Sequence, residues 1–354
     1  MWKKQTVRDI DVTDKVVLLR TDYNVPIQRD RVVEDYRIRA SLPTIEYLLE
    51  HGARQIVIIS HLGRPKGRDP EFSLAPIAKH LDKLLHGSVY LYDGSGLVPD
   101  ARVVMLENLR FNKGEEAGDA AFAKKLVEQT GAEIFVQDAF GMVHRAHASM
   151  VAITKLLPSV AGLLLEKEVV ALTDAMARPK RPLLAIIGGS KVEDKQSLIE
   201  LFAKSANTVA LGGRLGLNYT NLSPNVTIPL DYHYGADGEP YDIGDIATAT
   251  ILDLVRQAGM VVWNGVVGKV EEAEFAKASR LIAEAIGQSP VQSLILGGDT
   301  ASFVIELQAH DARLEYSLIS TGGGSALELI LGKKLPGIEA LPNKAPKKRK
   351  LQIQ

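Results

Sequence analysis

Nine short apolar, β-branched runs recur from end to end: Val16–Leu19, Ile56–Ile59, Val103–Leu106, Ile134–Val136, Leu183–Ile187, Thr208–Leu211, Val261–Trp263, Leu294–Leu296 and Leu318–Ser320. Most are apolar throughout rather than alternating, so both faces of each must be covered. Between many of them lie stretches with helical spacing, clearest at 38–50, 120–129, 246–257 and 272–286. These stretches run into Gly52, Gly131, Gly259 and Gly287, where a left-handed C-cap is predicted. Strand, helix and strand in alternation specify an α/β fold with parallel sheets and helices on both faces.

At 354 residues the chain exceeds what one core usually holds, so two domains are expected. The boundary is predicted within Leu156–Pro182. There Pro158 and Gly162 precede a helix-like run, 163–177, that ends in Arg178-Pro179-Lys180-Arg181-Pro182. The segment 212–244 has three prolines, several glycines and little periodicity, and reads as loop and short strand.

Ligands of open parallel sheets bind outside the carboxyl ends of the strands. In the first half those ends read Thr21-Asp22-Tyr23-Asn24, Ser60-His61-Leu62-Gly63-Arg64-Pro65, Glu107-Asn108-Leu109-Arg110 and 138–147, which holds His144, Arg145 and His147. Three of the four carry an arginine, and Arg37 opens a helix nearby. In a chain of net charge -1 that concentration points to a small polyanion, whose carboxylate and phosphate oxygens match the guanidinium fork. Each arginine could instead pair with an acid such as Glu107 or Asp138. For His144 and His147 a structural or phosphate-bonding role is favoured over a metal site, since no acidic ligand is patterned beside them.

The second-half ends read Gly188-Gly189-Ser190-Lys191, Gly212-Gly213-Arg214, Trp263-Asn264-Gly265, Gly297-Gly298-Asp299-Thr300 and Thr321-Gly322-Gly323-Gly324-Ser325. Here backbone N–H groups and helix dipoles replace arginine as the anion receptor. Asp299 would repel a bare phosphate, so a cation is expected between the two. The plainer reading is a tight turn with Asp299 and Thr300 capping the next helix. Lys191 and Lys195, at i and i+4, are expected along one face of the helix that follows the first turn. No Gly-x-x-x-x-Gly-Lys-[Ser/Thr] occurs, and 322–327 lacks the third glycine of the dinucleotide fingerprint.

At these residues the chain resembles phosphoglycerate kinases. The motifs stand in the family's order: Arg20-Thr21-Asp22-Tyr23-Asn24-Val25-Pro26, Arg37-Ile38-Arg39-Ala40, 60–65, 107–111, 138–148, 188–195, Trp263-Asn264-Gly265, 297–300 and 320–324. Residues 161–168 resemble the start of the family's interdomain helix. The resemblance implies two Rossmann-like lobes with parallel sheets joined by an interdomain helix. Residues 1–160 would form the 3-phosphoglycerate lobe, with 335–354 returning to it. Residues 161–181 would be the helix and hinge, and 182–334 the nucleotide lobe.

By motif match, Asp22, Tyr23, Asn24, Arg37, His61, Leu62, Gly63, Arg64, Arg110 and Arg145 would hold 3-phosphoglycerate or 1,3-bisphosphoglycerate. Lys191, Lys195, Asn264, Glu271, Gly297, Gly298, Asp299 and Thr300 would hold ADP or ATP, with Asp299 as ligand to Mg2+ and Glu271 in the place of a ribose-binding Glu. Arg37, Lys191, Gly322 and Gly323 would be catalytic. The reaction implied is the glycolytic phosphoryl transfer, by lobe closure and direct in-line transfer. Arg214 stands where the family has a third glycine, Gly265-Val266 replaces Gly-Pro, and Lys269-Val270-Glu271 replaces Val-Phe-Glu. The stretch 216–244 also looks short by about one helix–strand unit. Two other readings remain, a binding or scaffold protein on the same fold and a nicotinamide dehydrogenase.

Near-zero net charge supplies no field for nucleic acid or an anionic membrane. No apolar run is long enough to cross a bilayer and no signal peptide is recognised, so a cytoplasmic monomer is expected. The absence of cysteine fits a reducing compartment. Three Asn-x-Ser/Thr sequons within 218–227 are read as accidental, and the basic tail with Lys344, Lys347, Lys348, Arg349 and Lys350 as solvated.

Overall fold

The computed structural model describes residues 2–87, 89–95, 98–220 and 223–345. Asn221 of the middle sequon and Lys347, Lys348, Arg349 and Lys350 of the tail lie outside the described residues. Contacts divide the chain into two units, Met1–Val170 with Lys334–Gln354, and Ala171–Lys333.

The first unit is built on β1 (Val16–Arg20), β2 (Gln55–Ile59), β3 (Val89–Tyr92), β4 (Val103–Leu106), β5 (Ile134–Gln137) and β6 (Ser159–Ala161). They form one sheet in the order β3-β4-β2-β1-β5-β6, every pair parallel. The second unit carries β7 (Leu183–Ile187), β8 (Thr208–Leu211), β9 (Val226–Thr227), β10 (Met260–Asn264), β11 (Gln292–Leu296) and β12 (Leu318–Ile319). Its order is β9-β8-β7-β10-β11-β12, again parallel throughout. Both are the doubly wound arrangement, with a switch point beside the first strand of each sheet.

Uniformly apolar strands are what this layering requires. In β1, Val17 and Leu19 join the cluster that packs α1 (Tyr36–Glu50) and α2 (Ala75–Leu84), while Val16 and Leu18 join the opposite cluster with α3 (Ala120–Thr130). Successive side chains point to opposite faces, so the strand interior is apolar on both. Each such buried side chain contributes roughly 1.5–3 kcal/mol. The helix α4 (Leu163–Ala177) spans the division between the units. In the second unit, α5 (Gln196–Ser205), α6 (Asp245–Gln257), α7 (Lys277–Gly287), α8 (Gly298–His310) and α9 (Gly324–Ile330) follow the strands. No described helix is long and apolar enough to cross a membrane.

Three sequence expectations need correction. Gly131 is a left-handed cap and Gly52 has φ +78°, but Gly259 and Gly287 have no positive φ. Those two are small for space: a Cβ would lie 2.5 Å from the Arg181 carbonyl oxygen in one case and 2.9 Å from the Tyr316 hydroxyl in the other. The helix expected over 272–286 is broken at Ala276, between a 3-10 turn (Ala273–Phe275) and α7. The buried Asp242 carboxylate accepts from Ala278 N–H at 3.0 Å and so fixes where α7 starts. Lys191 and Lys195 do not share a helical face, since α5 begins only at Gln196. Lys195 N–H is already bonded to the Val192 carbonyl at 2.9 Å, closing a turn before the helix.

The C-terminal segment packs within the first unit. Gly337 N–H donates to the Val143 carbonyl at 2.9 Å, Gln5 N–H to Pro342 at 2.9 Å, and Lys4 Nζ to Leu341 at 2.8 Å.

Candidate active site

At the carboxyl end of the first sheet the strand tips converge on Asp22. Arg37, one residue into α1, places Nη1 3.0 Å from Asp22 Oδ2 and donates to the Asn24 carbonyl at 3.3 Å. His61 Nδ1 lies 3.9 Å from the other carboxylate oxygen. Burial pushes the Asp22 carboxyl up, but Arg37 and Arg20 outweigh it and hold the group below its ordinary range. His61 is lowered too, which in a base favours the uncharged form. Burial, with Arg20, Arg110 and Arg37 nearby, drives its pKa well below the usual value, so at neutral pH it is a neutral hydrogen-bonding ring and no cation.

Two further strand ends complete the rim. Asn24 Oδ1 accepts from Gly63 N–H at 2.9 Å, and Arg110 Nη1 donates to the Gly63 carbonyl at 2.6 Å. Arg110 Nε lies 3.1 Å from Glu116 but makes no hydrogen bond. Burial lowers the Arg110 pKa, Glu116 opposes that, and Arg64 is close enough to lower it again. Tyr23 and Leu62 are buried, Tyr23 through a 2.7 Å hydroxyl contact with Ser41. Arg145 is exposed, and its Nε donates to His144 Nε2 at 3.0 Å.

Behind this rim stands a charged network that the sequence reading did not single out. Arg20 has no exposed surface. Its Nε donates to Ser149 Oγ at 2.9 Å, its Nη1 to the Thr21 carbonyl, and its Nη2 lies 3.4 Å from His61. Glu115, equally buried, accepts from Ser149 N–H at 3.0 Å and Oγ at 2.6 Å, and stands 3.8 Å from Arg20 and from His147. An arginine closing an otherwise apolar strand was the available signal, since a buried charge demands a partner.

The second sheet ends in turns packed on one another. Gly188 N–H donates to the Asn264 carbonyl at 3.0 Å, and a Cβ on Gly188 would lie 2.2 Å from the Val266 carbonyl oxygen and 2.5 Å from that of Gly265. Only glycine allows that approach. Gly297 (φ +91°) is the N-cap of α8, and neither Asp299 nor Thr300 caps it. Thr300 Oγ1 instead accepts from Gly265 N–H at 2.8 Å, which ties two turns together. Lys195 Nζ donates to Asn264 Oδ1. Burial lowers its pKa while Asp299 and Asp194 oppose that. Asn264 Nδ2 is buried without a partner.

Asp299 and Gly298 are exposed on the first turn of α8, Lys191 is exposed in the loop after β7, and Glu271 is exposed on a turn. Gly322 N–H donates to Ser320 Oγ at 3.0 Å, and Gly323 is the N-cap of α9. No group of three or more metal-binding side chains occurs among the described residues. Asp299, a single exposed carboxylate on a glycine turn, nonetheless fits Mg2+, which keeps several waters and takes one or two carboxylates plus substrate phosphates.

The sequence profile of the phosphoglycerate kinase family matches residues 7–228 and 223–333. The chain is 34% identical to the phosphoglycerate kinase of Aquifex aeolicus (strain VF5), covering 97% of this chain and 100% of that one. It is 37% identical to that of Hydrogenobaculum sp. (strain Y04AAS1), with the same coverage. The Aquifex alignment runs over 401 positions, more than the 354 residues present, so gaps fall in this chain. The two profile segments meet at 223–228, inside the stretch read as short. Among solved structures, the phosphoglycerate kinase of Coxiella burnetii is similar at TM-score 0.77 and 31% identity, covering 95% of this chain and 98% of that one. That of Pyrococcus horikoshii OT3 is similar at 0.83 and 27%, covering 96% and 98%. The chain belongs to the phosphoglycerate kinase family, phosphotransferases that take a carboxyl group as acceptor.

Proposed function

We propose that the chain transfers a phosphoryl group reversibly between 1,3-bisphosphoglycerate and ADP, yielding 3-phosphoglycerate and ATP. The observation that carries this reading is the arginine rim gathered around Asp22, where Arg37 and Arg110 are held by backbone and carboxylate partners and remain part-exposed. Asp22, Asn24, Arg37, His61, Arg64 and Arg110 receive the phosphoglycerate. Arg145, with His144 as its neighbour, is assigned to the same ligand by motif alone. Lys191, Lys195, Asn264 and the turns at 297–300 and 322–323 receive the nucleotide phosphates, and Glu271 the ribose.

A substrate carboxylate is ionised at neutral pH, so it needs no general base, and the neutral His61 beside it is consistent with that. What the reaction needs is alignment and cancellation of negative charge. Arg37 supplies positive charge from one unit, Lys191 and the Gly322–Gly323 turn from the other. Mg2+, which Asp299 would hold, neutralises nucleotide phosphate charge when bound. Direct transfer requires ligands held on different units to meet, so closure of the units is part of the proposal.

A coupled assay with ADP and 1,3-bisphosphoglycerate tests the reading. ATP formation dependent on both substrates is expected, and its absence overturns the proposal in favour of a binding protein on the same fold. An NADH-linked absorbance change without ATP would instead indicate a dehydrogenase.

A further inference from the structure

The hairpin of Ile27–Gln28 and Arg31–Val32 packs against α2, and between them lies a cavity of about 460 Å³. Its lining is charged almost throughout. Arg29 and Arg31 come from the hairpin, and Lys79 and Lys83 come from successive turns of α2. Asp30 is the one carboxylate of the lining, and Val32 and Pro76 are its only apolar side chains. None of the four cations has an acidic partner within 4 Å among the described residues.

The nearby acids are already committed. Asp35 accepts from Arg39 Nε at 2.9 and 2.8 Å and from His80 Nε2 at 2.8 Å, so it binds the histidine of the cavity and leaves the four cations alone. Asp82, also on α2, accepts from Val89 N–H at 2.9 Å. Four like charges around one concavity repel one another, and a concave surface focuses their field where a counter-ion would sit. Single lysines at the end of a helix have an ordinary role with the dipole, but that role accounts for Lys83 and not for the arginines opposite it. None of these residues belongs to the rim around Asp22.

We propose that this cleft binds a compact anion carrying two or three phosphate groups. Four cations against one carboxylate match a di- or triphosphate better than a monophosphate, and two arginine forks suit phosphate oxygens. The volume falls within the range of small-molecule sites, while the scarcity of apolar lining gives a base or ring nothing to stack on.

The test is a 1H–15N NMR titration with tripolyphosphate, in EDTA, of native protein and the Arg31→Ala/Lys83→Ala double variant. Both positions are exposed, and the amide spectrum itself reports that the variant is folded. Saturable shifts at 29–32 and 79–83 are expected in the native protein. The double variant should bind there at least about tenfold more weakly, the loss of one charge-assisted bond. Shifts elsewhere should persist, and ATP-forming turnover should be unchanged, which separates this site from the proposed kinase reaction. Hairpin amides that do not saturate below millimolar anion, or that saturate equally in the variant, overturn the proposal.

Discussion

The first strand of each sheet ends at its switch point, yet β1 ends at Arg20 and runs into Thr21-Asp22, whereas β7 ends at Ile187 and runs into Gly188-Gly189. At the first tip, a fully buried guanidinium is braced by Ser149 and Glu115, with Asp22 and Arg37 in front of it. At the second, the turn lies directly on the Gly265–Val266 turn, with carbonyl oxygens where any side chain would have to stand. One tip is made of paired charges, the innermost of them held out of water. The other is made of turns whose peptide groups are brought close. Buried charges depend on their counter-ions, whereas closely packed turns depend on the absence of Cβ atoms.

The largest expected effect breaks the first kind of support. In Glu115→Ala, Arg20 becomes a buried cation without its carboxylate, which costs about 3–5 kcal/mol. Urea denaturation would measure the loss, and hydrogen exchange would locate it in Val16–Arg20 and not in Leu183–Ile187. Equal loss of protection in both strands would mean the two tips are not independently braced.

Asp138 sharpens the contrast through pH. It follows β5 and accepts from Leu164 and Leu165 N–H at 3.0 and 3.1 Å, while Oδ2 has no partner. Burial pushes its pKa up to about 7, against the opposing hydrogen bonds of Thr44, Leu165 and Leu164. A folded pKa above the unfolded one means that the protonated acid favours folding. That contribution is whole below about pH 4 and disappears as pH rises through 7. Asp138→Asn keeps the acceptor and cannot ionise. Between about pH 4 and pH 8 the native protein should therefore lose about 4 kcal/mol more stability than the variant. Parallel denaturation curves for the two proteins across that window would show that Asp138 is not the responsible group.

The contrast also governs what could be read from the chain. Strands buried on both faces are legible because each run is apolar in itself: 103–106, 183–187 and 208–211 were predicted with the bounds found. The edge strands 89–92, 159–161 and 226–227 were not identified. The first is only partly buried, with Tyr90 exposed, and the others have only three and two residues, so pairing defines them more than composition does. At the site, glycine turns and arginines announce themselves by residue type. Glu115 and Ser149 do not, because they matter only through a partner 95 or 129 positions away, and that pairing exists only once the chain is folded. Lys191 and Lys195 show the reverse error, where an i, i+4 spacing suggested a helix that begins too late to contain either.

Substitutions at the reacting ends test whether the two materials do equivalent work. Arg37→Ala and Lys191→Ala are each expected to slow turnover by at least about a hundredfold, the worth of one well-placed donor to a developing oxyanion. Steady-state kinetics in the ATP-forming direction measures this. Near-native turnover in either variant removes that residue from the mechanism and leaves the other receptor carrying the charge alone.

The smallest effect concerns Arg214, which stands where relatives are expected to have a third glycine. Its Nη2 lies 2.8 Å from Glu239 Oε2, and both side chains are about half exposed. An exposed pair of this kind gains little, because water screens the charges and ordering two long side chains costs entropy. Arg214→Ala should therefore change stability by less than about 0.5 kcal/mol in urea denaturation. Its KM for ADP should move by less than about tenfold, a 1.4 kcal/mol limit, because Lys191, Lys195, Asn264 and the glycine turns, and not this guanidinium, are assigned the nucleotide phosphates. A larger rise in KM would mean that the nucleotide site recruits this guanidinium in addition to Lys191 and Lys195, and the distinction between the two units would have to be redrawn at that residue.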